Sequence, residues 1–344
     1  MRFVACETAP IVNSPSSVAA GVSSVVLCAQ LFRLPLAIST LSYSMTLVLF
    51  PNDPLRPRTV EEDFESELSA ARNAGFEAVL LDHTRVADGS AQDAVAHVPE
   101  NEPFALYRGW MLAPERYEQL HAALKARGTF LINTPEAYRT CHYLPESYRW
   151  LDGHTPRSAW LRIDGELDFA SVAALLKPFG KCPLVLKDYV KSQKHYWKEA
   201  CFIPAADDLP SVERVVRRFL ELQGDDLNVG LVFREFVPLK IVGVHPKSNM
   251  PLAAEFRSFW FDGEPILAHR YWGDLTSFES TLPFDELRPL AARIPSRFFT
   301  MDVAYLEDGS WIIVELGDGQ VAGLPSNSLA HEFFEHIAKA AARA

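Results

Sequence analysis

Residues 298–320 read FFTMDVAYLEDGSWIIVELGDGQ, two apolar runs separated by a turn signal. A two-residue Asp308-Gly309 loop suits a type I′ turn, which fixes the register of the hairpin that it closes. In that register Asp302 on the first strand lies opposite Glu315 on the second, with Cβ atoms about 5 Å apart. The hairpin is therefore predicted to place two carboxylates side by side on one face.

The other face of the hairpin, where Val303 lies opposite Val314, is apolar and is predicted to be core. The same register pairs Leu306 with Trp311. Like charges placed directly opposite each other destabilise a sheet, so Asp302 and Glu315 require a nearby cation. Mg²⁺ is the natural candidate, since it accepts carboxylate oxygens and keeps waters and phosphates. A solvated pair bridged to a nearby lysine or arginine is the alternative.

The composition is that of an ordinary globular protein with room for two domains. Of 344 residues, 48% are hydrophobic and 22% are charged, and the formal net charge is −11. An acidic chain argues against non-specific nucleic-acid binding. The cysteines form no C-x-x-C pair, which favours a reducing, cytoplasmic setting over a disulfide framework. They are Cys6, Cys28, Cys141, Cys182 and Cys201.

Residues 1–44 differ from the rest of the chain in carrying only three charged side chains. The apolar run at 18–32 is too short and too polar for a membrane span. We expect this segment to be a disordered or spurious extension, with the first domain starting at Met45. A targeting segment is the alternative, although its basic start would be a single arginine.

From residue 45 to residue 150 strands alternate with helices, which indicates a parallel sheet and an α/β domain. Helices are predicted at 60–73, with Thr59 as N-cap, and at 114–127. Residues 51–54 read as a loop. Apolar runs predict strands at 45–50, 76–82, 104–107 and 129–133.

Residues 151–344 follow a different pattern, which is typical of an α+β domain with antiparallel hairpins. Helices are predicted at 169–179 and 209–223, and Asp262-Gly263 predicts a second tight turn. Strands are predicted at 160–163, 183–187, 200–203, 229–236, 254–261, 265–272, 299–306 and 311–316.

A basic segment, PLVLKDYVKSQKHYWKE, spans residues 183–199. Residues 187–198 carry a local charge of +3 inside an acidic protein. Lys187, at the end of an apolar strand, and the following Lys191 and Ser192 are candidates for contacting a triphosphate. The segment contains no glycine and is not a Walker loop. Plain solvated surface is the alternative.

The strand at 229–236 ends in Glu235-Phe236-Val237-Pro238. Pro238 interrupts strand pairing, so backbone groups at this hinge are free to bind an adenine edge while apolar side chains enclose the ring. An ordinary strand end is the alternative.

Arginines in half-buried strands need partners, and Arg234, Arg257 and Arg270 lie in such strands. Phosphate oxygens or a tetrahedral oxyanion would supply one. Arg108 follows the third strand of the first domain, at the carboxyl end of the predicted parallel sheet, where ligands bind. The alternative for the strand arginines is ion pairing with Glu235, Glu255 or Asp302.

In chain order, a strand lysine, a Glu-Phe-Val hinge, a strand arginine and an Asp…Glu hairpin resemble the ATP-grasp superfamily over residues 155–325. RGW, LINTPEAYRTCHYLPE, LVLKDYVKS, EFRSF and VELGDGQVAGLP look like a small phage- and bacteria-associated clade, named for two arginines and a lysine. The resemblance implies a pre-ATP-grasp α/β domain at 45–150 and a two-lobed ATP-grasp domain at 151–344.

The resemblance also implies roles for individual residues. Lys187 would contact the nucleotide, residues 235–237 would bind adenine, and Arg257 would contact phosphate. The implied magnesium ligands are Asp302 and Glu315. Many members of the superfamily have asparagine where this chain has Gly317, so Asp318 or water is expected to complete the shell.

The implied function is an ATP- and Mg²⁺-dependent ligase that joins a carboxylate to an amine through an acylphosphate. Its substrate would be an amino acid, a peptide or a protein end, with no nucleic-acid or membrane partner. Arg257 or Arg270 would stabilise the tetrahedral intermediate, near a substrate pocket beside Arg108. A non-catalytic nucleotide-binding regulator and an ATP-dependent phosphotransferase are the alternatives.

Overall fold

The computed structural model describes residues 47–151, 153–246, 250–275, 278 and 280–343. The predictions for residues 1–44 and for the start at Met45 lie outside these ranges. Among the described residues, no helix has the length and apolar character needed to span a bilayer.

The first sheet is built around β1, which pairs in parallel with β3 on one side and β4 on the other, and antiparallel with β2 at its end. Both faces of β1 are buried, as expected for a parallel sheet. Its strands are β1 (Leu47–Asp53), β2 (Arg56–Val60), β3 (Glu77–Leu81) and β4 (Ala105–Tyr107).

Six helices lie in this part of the chain. They are α1 (Glu65–Asn73), α2 (His83–Asp88), α3 (Ala91–Ala94), α4 (Pro114–Ala126), α5 (Pro135–His142) and α6 (Leu144–Leu151). Helices α2 to α4 cover one face of the sheet, and α1 covers the other. The predicted parallel α/β arrangement is confirmed.

Three local predictions in this region are wrong. Residues 51–53 continue β1, because the chain turns only at 54–55 and returns as β2. Thr59 lies in β2, and Glu61 instead caps the 3₁₀ turn at Glu62–Phe64. The strand predicted at 129–133 is reduced to an isolated parallel bridge between Leu131 and Ala105.

The second sheet is antiparallel with the order β5-β8-β6-β7. Its strands are β5 (Ser158–Arg162), β6 (Leu184–Asp188), β7 (Phe202–Ile203) and β8 (Gly230–Glu235). Helices α7 (Phe169–Leu176) and α8 (Leu209–Gln223) pack on one face, against Leu186 and Phe233. Lys187 pairs with Val232 and Arg234 with Val185, so both cations lie on the opposite face.

The third sheet has the order β12-β11-β13-β14 and is also antiparallel. Its strands are β11 (Glu255–Phe261), β12 (Glu264–Arg270), β13 (Phe298–Tyr305) and β14 (Trp311–Asp318). A separate two-stranded ribbon precedes it, formed by β9 (Ile241–Val244) and β10 (Pro251–Ala253). The remaining helices are α9 (Phe284–Ala291) and α10 (Ala330–Ala341).

The β13–β14 hairpin confirms one predicted pair and corrects two. Near the turn Tyr305, not Leu306, pairs with Trp311. Val303 likewise pairs with Ile313 and not with Val314. The register then shifts by one residue at a bulge, and Asp302 pairs with Glu315 as predicted.

The turn explains the shift. The Gly309 N–H donates to the Leu306 carbonyl at 3.1 Å, and only Gly309 has a positive φ, at 86°. A type I′ turn would need a positive φ at Asp308 as well. The loop is therefore one residue longer than predicted, and the bulge compensates for it further along the hairpin.

Candidate functional site

The carboxylates of Asp302 and Glu315 lie on the same face of the third sheet, and each already has a basic partner. Arg257 pairs across the sheet with Asp302, donating from Nε to Oδ1 at 2.9 Å and from Nη2 to Oδ2 at 2.7 Å. Lys187 Nζ reaches Glu315 Oε2 at 3.4 Å from the second sheet. The cation that the sequence requires is thus supplied, in this state, by the chain itself.

The electrostatic surroundings of Glu315 are strongly positive. Removal from bulk water opposes its ionisation, yet Lys187, Lys194, Arg257 and Arg234 together lower its pKa to about 2. Lys194, in the 3₁₀ turn Lys194–Tyr196, carries its charge to the acid pair from the basic segment. The sequence analysis selected Lys191 and Ser192 in the basic segment. A run of positive charges does not indicate which of its lysines lies near the acid pair.

Glu255 is a third acid at this face that the sequence treated only as an ion-pair partner. It precedes Arg257 by two residues on β11, so the two side chains point the same way. Burial raises the pKa of Glu255 to about 8, and the nearby Asp302 charge adds to the shift. The two-residue spacing of Glu255 and Arg257 along a predicted strand was the sequence signal that placed both side chains on one face.

The predicted cofactor-binding residues occupy different positions relative to the acid pair. Lys187 and Lys191 line a cavity of about 290 Å³ together with Arg234, Arg257 and Glu315. Ser192 is half-buried and is not part of that lining. The structure therefore brings both lysines, but not the serine, to one cavity.

The predicted adenine hinge lies at the end of β8, an inner strand of the second sheet. The Glu235 N–H donates to the Arg157 carbonyl at 2.8 Å, and the Phe236 N–H donates to the Pro183 carbonyl at 2.9 Å. The Phe236 ring packs edge-on against Phe202, with centroids 5.3 Å apart. Val237 lies two residues beyond the end of β8, and none of the three hinge residues lines the cavity. Their role with adenine remains a prediction.

Arg108 does not reach a substrate pocket, because its guanidinium is buried and fully engaged. It is 1% exposed and forms two hydrogen bonds with Glu67, at 2.7 and 2.8 Å. Its Nη1 donates to the carbonyls of Gly319, Gln320 and Ala322. The expectation of a catalytic Arg108 is therefore corrected: the side chain fixes the segment that follows β14.

Arg270 is also separated from the acid pair. It pairs with Phe256 at the end of β12, while Arg257 pairs with His269. Because paired residues share a face and neighbours alternate, the Arg270 Cβ lies on the opposite face of the sheet from Arg257. The third sheet thus presents Arg257, and not Arg270, beside Asp302.

Gly317 and Asp318 decide how a metal shell would be completed. A Cβ at residue 317 would lie 2.6 Å from Thr300 Oγ1, so this position cannot carry a side chain unless Thr300 moves. Asp318 faces the other way and accepts hydrogen bonds from Asn133 Nδ2 at 2.6 Å and from the Gln320 N–H at 2.9 Å. The structure does not bring Asp318 to the acid pair.

The acid pair fits a magnesium ion whose shell is mostly filled by phosphate and water. Among the described residues no group of three or more acids, histidines and cysteines has the arrangement of a metal centre. Mg²⁺ is commonly held by only one or two carboxylates in nucleotide sites. Arg257 uses one lone pair of each Asp302 oxygen, which leaves others for a metal, and Glu315 is 40% exposed.

Comparison with known proteins identifies the architecture. Residues 178–337 match the family model described as the ATP-grasp domain of R2K clade family 3. The crystal structure of a RimK domain protein ATP-grasp from Sphaerobacter thermophilus has a TM-score of 0.54 at 16% identity, covering 86% of this chain and 98% of that one. A comparison with curated proteins finds no match.

Two further solved structures resemble the chain over a similar share of its length. D-cycloserine synthetase DcsG has a TM-score of 0.52 at 17% identity, covering 85% of this chain and 99% of that one. The ATP-grasp ligase PsnB, solved with minimal precursor, Mg and ADP, has a TM-score of 0.51 at 16% identity, with coverages of 87% and 98%. At such identities the structural matches show the fold.

Proposed function

The chain belongs to the ATP-grasp superfamily, and on that premise we propose that it is an ATP- and Mg²⁺-dependent ligase that joins a carboxylate to an amine. The observation that carries the proposal is the excess of cations around the acid pair. Lys187 contacts Glu315 at 3.4 Å, and Arg257 contacts Asp302 at 2.7 Å. Lys191 and Arg234 line the same cavity, in a chain whose net charge is −11. A cluster of this sign suits a polyphosphate bound with its metal.

The proposed reaction has two steps. An oxygen of the substrate carboxylate bonds to the γ-phosphorus as the bond to the ADP oxygen breaks, which gives an acylphosphate. The amine nitrogen then bonds to the acyl carbon, loses a proton, and expels phosphate as the C–O bond breaks. Bound magnesium would supply charge neutralisation at the phosphates.

Residues of this chain would act mainly by binding and orientation. Lys187 and Arg257 would exchange part of their contact with Glu315 and Asp302 for phosphate oxygens, while Lys191 and Lys194 approach from the basic segment. Residues 235–237 would hold the adenine. Positioning of this kind can supply much of the rate acceleration in a two-substrate reaction.

Two solved structures of similar fold support the choice of substrate class. PsnB was solved with a precursor peptide, and DcsG is a D-cycloserine synthetase. We therefore propose a small molecule or a peptide as the substrate class. A non-catalytic nucleotide binder is the second candidate, favoured by Gly317, since no side chain at that position can complete the metal shell.

Turnover assays distinguish these functions. The protein is incubated with ATP, Mg²⁺ and a pool of amino acids and short peptides, and the products are analysed by mass spectrometry. ADP release with a new amide supports the ligase. ADP release with a phosphorylated product would replace it with a phosphotransferase, and tight ATP binding without turnover would replace it with the regulator.

A further inference from the structure

Arg234 is a buried arginine without an acidic partner. It is 8% exposed, and its Nη2 donates to two neutral acceptors, Thr155 Oγ1 at 2.7 Å and the Ile313 carbonyl at 3.2 Å. No other hydrogen bond or ion pair joins it to the described part of the chain. Burial lowers its pKa to about 10, and the charge of Glu315 only partly offsets that effect.

Arg108 and Arg257, in contrast, each have an acidic partner. Arg108 is paired with Glu67, and Arg257 is paired with Asp302, each through two hydrogen bonds. Arg234 forms no salt bridge with any described residue, and a buried charge that has no acid in direct contact is costly. Arg234 therefore costs stability in the free protein, which is understandable if a ligand supplies the missing anion.

The Arg234 side chain lines the cavity. Its Nε and Nη1 make no hydrogen bond to any described residue, since both of its hydrogen bonds come from Nη2. Thr155, Tyr148 and Leu151, from α6 and the segment after it, contribute neutral side chains to the same lining. An anion that enters the cavity therefore finds a planar fork of free donors at this wall.

The cavity does not extend to the predicted adenine hinge, because residues 235–237 do not line it. Its lining brings Arg234 together with Lys187 and Glu315. The fork of an arginine matches the two oxygens of a carboxylate.

We propose that Arg234 binds a carboxylate that the substrate keeps through the reaction, so that the substrate is an amino acid or a chain end with a free carboxylate. This inference rests on the proposed function, because it assigns one end of the substrate in the same site. A carboxylate held by the fork has both oxygens engaged, so the reacting group of the substrate lies nearer Glu315.

Thermal shifts with matched ligand pairs test the assignment. The protein with saturating ADP and Mg²⁺ is melted with each L-amino acid and with the corresponding amino-acid amide, which lacks the carboxylate. At least one amino acid should raise the melting temperature, by about 2 °C at about ten times its Kd, while its amide does not. Arg234→Gln should lose that difference yet keep the shift caused by ADP and Mg²⁺.

Two further variants separate recognition from folding. Arg234→Lys keeps the charge without the fork and should lose most of the difference. Arg162→Gln removes an exposed arginine of the same sheet, paired only with Asp164, and should behave like the natural protein. Melting without ligand should be unchanged or higher for Arg234→Gln, because the variant removes an unpaired buried charge.

Several outcomes would overturn the inference. Arg234 does not bind a carboxylate if an amide stabilises the protein as well as its amino acid does. The same conclusion follows if the difference in melting temperature between amino acid and amide survives in Arg234→Gln. Loss of the ADP and Mg²⁺ shift in Arg234→Gln would assign the side chain to phosphate. The absence of any carboxylate-dependent shift in the natural protein would also refute it. If ADP and Mg²⁺ themselves give no shift, the proposed function fails instead.

Discussion

Asp302 lies between a base and an acid, with Arg257 on one neighbouring strand and Glu315 on the other. Burial raises the pKa of Asp302, while the Arg257 guanidinium opposes that shift. In the free protein each carboxylate of the acid pair has a basic partner, Arg257 for Asp302 and Lys187 for Glu315. A phosphate-bound metal could replace these contacts without leaving either charge unpaired, which is what a reversible nucleotide site requires.

Removing both carboxylates should separate metal binding from folding. Asp302→Asn with Glu315→Gln keeps the shape of both side chains but removes the charges that a metal would need. We expect turnover to fall by a factor on the order of 10³ or more, and the Mg²⁺-dependent part of the ADP thermal shift to disappear. Asp308→Asn, at the exposed tip of the same hairpin, is the control. Turnover that survives the double change would refute the magnesium assignment.

Asp318 makes a separate prediction about pH. Burial raises its pKa from 3.8 to about 6, although Asn133 and Gln320 donate hydrogen bonds to it. Between about pH 4 and 6 the native protein therefore holds a proton that the unfolded chain has released. Stability contributed by this group is fully present below pH 4 and is lost as pH rises through 6.

Urea denaturation at pH 4.5 and pH 7 measures this contribution. A shift of two pK units corresponds to about 3 kcal/mol. In Asp318→Asn, whose side chain does not titrate, the difference in unfolding free energy between the two pH values should change by up to that amount relative to the natural protein. Equal pH dependence of the two proteins would show that Asp318 ionises normally.

At the scale of elements, the β13–β14 hairpin shows what a sequence pattern can and cannot specify. Alternation and the Asp-Gly signal located both strands and the pairing of Asp302 with Glu315. The pattern could not distinguish a two-residue loop from a longer one with Gly309 alone in the left-handed region. It also gave no sign of the bulge, because an inserted residue in an apolar strand looks like the strand itself.

Other elements were missed for different physical reasons. Helix α5 has a cap signal that sequence reasoning overlooked, since Thr134 accepts a hydrogen bond from Ala137 N–H and Pro135 occupies the first turn. The roles of Arg108 and Arg234 were not readable, because each depends on partners distant in the chain. Glu67 is 41 residues from Arg108, and Ile313 is 79 residues from Arg234.

Gly309 tests the turn directly. Its φ of 86° suits glycine, and a Cβ there would meet no atom within 4 Å, so any penalty comes from backbone strain alone. Gly309→Ala should destabilise the protein by about 1 kcal/mol, measured by urea denaturation. Gly309→Asn should cost less, because asparagine tolerates the left-handed region. Equal losses for both variants would contradict this description of the turn.

At the scale of the whole molecule, the C-terminal helix joins the first and third sheets. Phe333 and Ile337 of α10 belong to one buried cluster with Phe50 of β1 and Phe298 of β13. Beside this cluster the Arg108 guanidinium stacks over the Phe333 ring at 5.1 Å. The segment that follows β14 is thus held against the first sheet by both apolar and polar contacts.

This segment connects the first sheet to the candidate site. Arg108 donates to the carbonyls of residues 319, 320 and 322. Arg257 Nη1 in turn donates to the Gly323 carbonyl at 3.2 Å. The buried pair of Arg108 with Glu67 therefore helps to set the position of the guanidinium that faces Asp302.

Removing only the arginine of that pair should destabilise the protein far more than removing both partners. Arg108→Met leaves the Glu67 carboxylate buried without a partner, which should cost about 3–5 kcal/mol in the free energy of unfolding, measured by urea denaturation. Arg108→Met with Glu67→Leu leaves no buried charge and should recover part of that loss. Recovery should be incomplete, since the three carbonyls of residues 319–322 that Arg108 serves still lose their donor. A double variant as unstable as the single one would show that these carbonyl contacts, and not the ion pair, hold the segment in place.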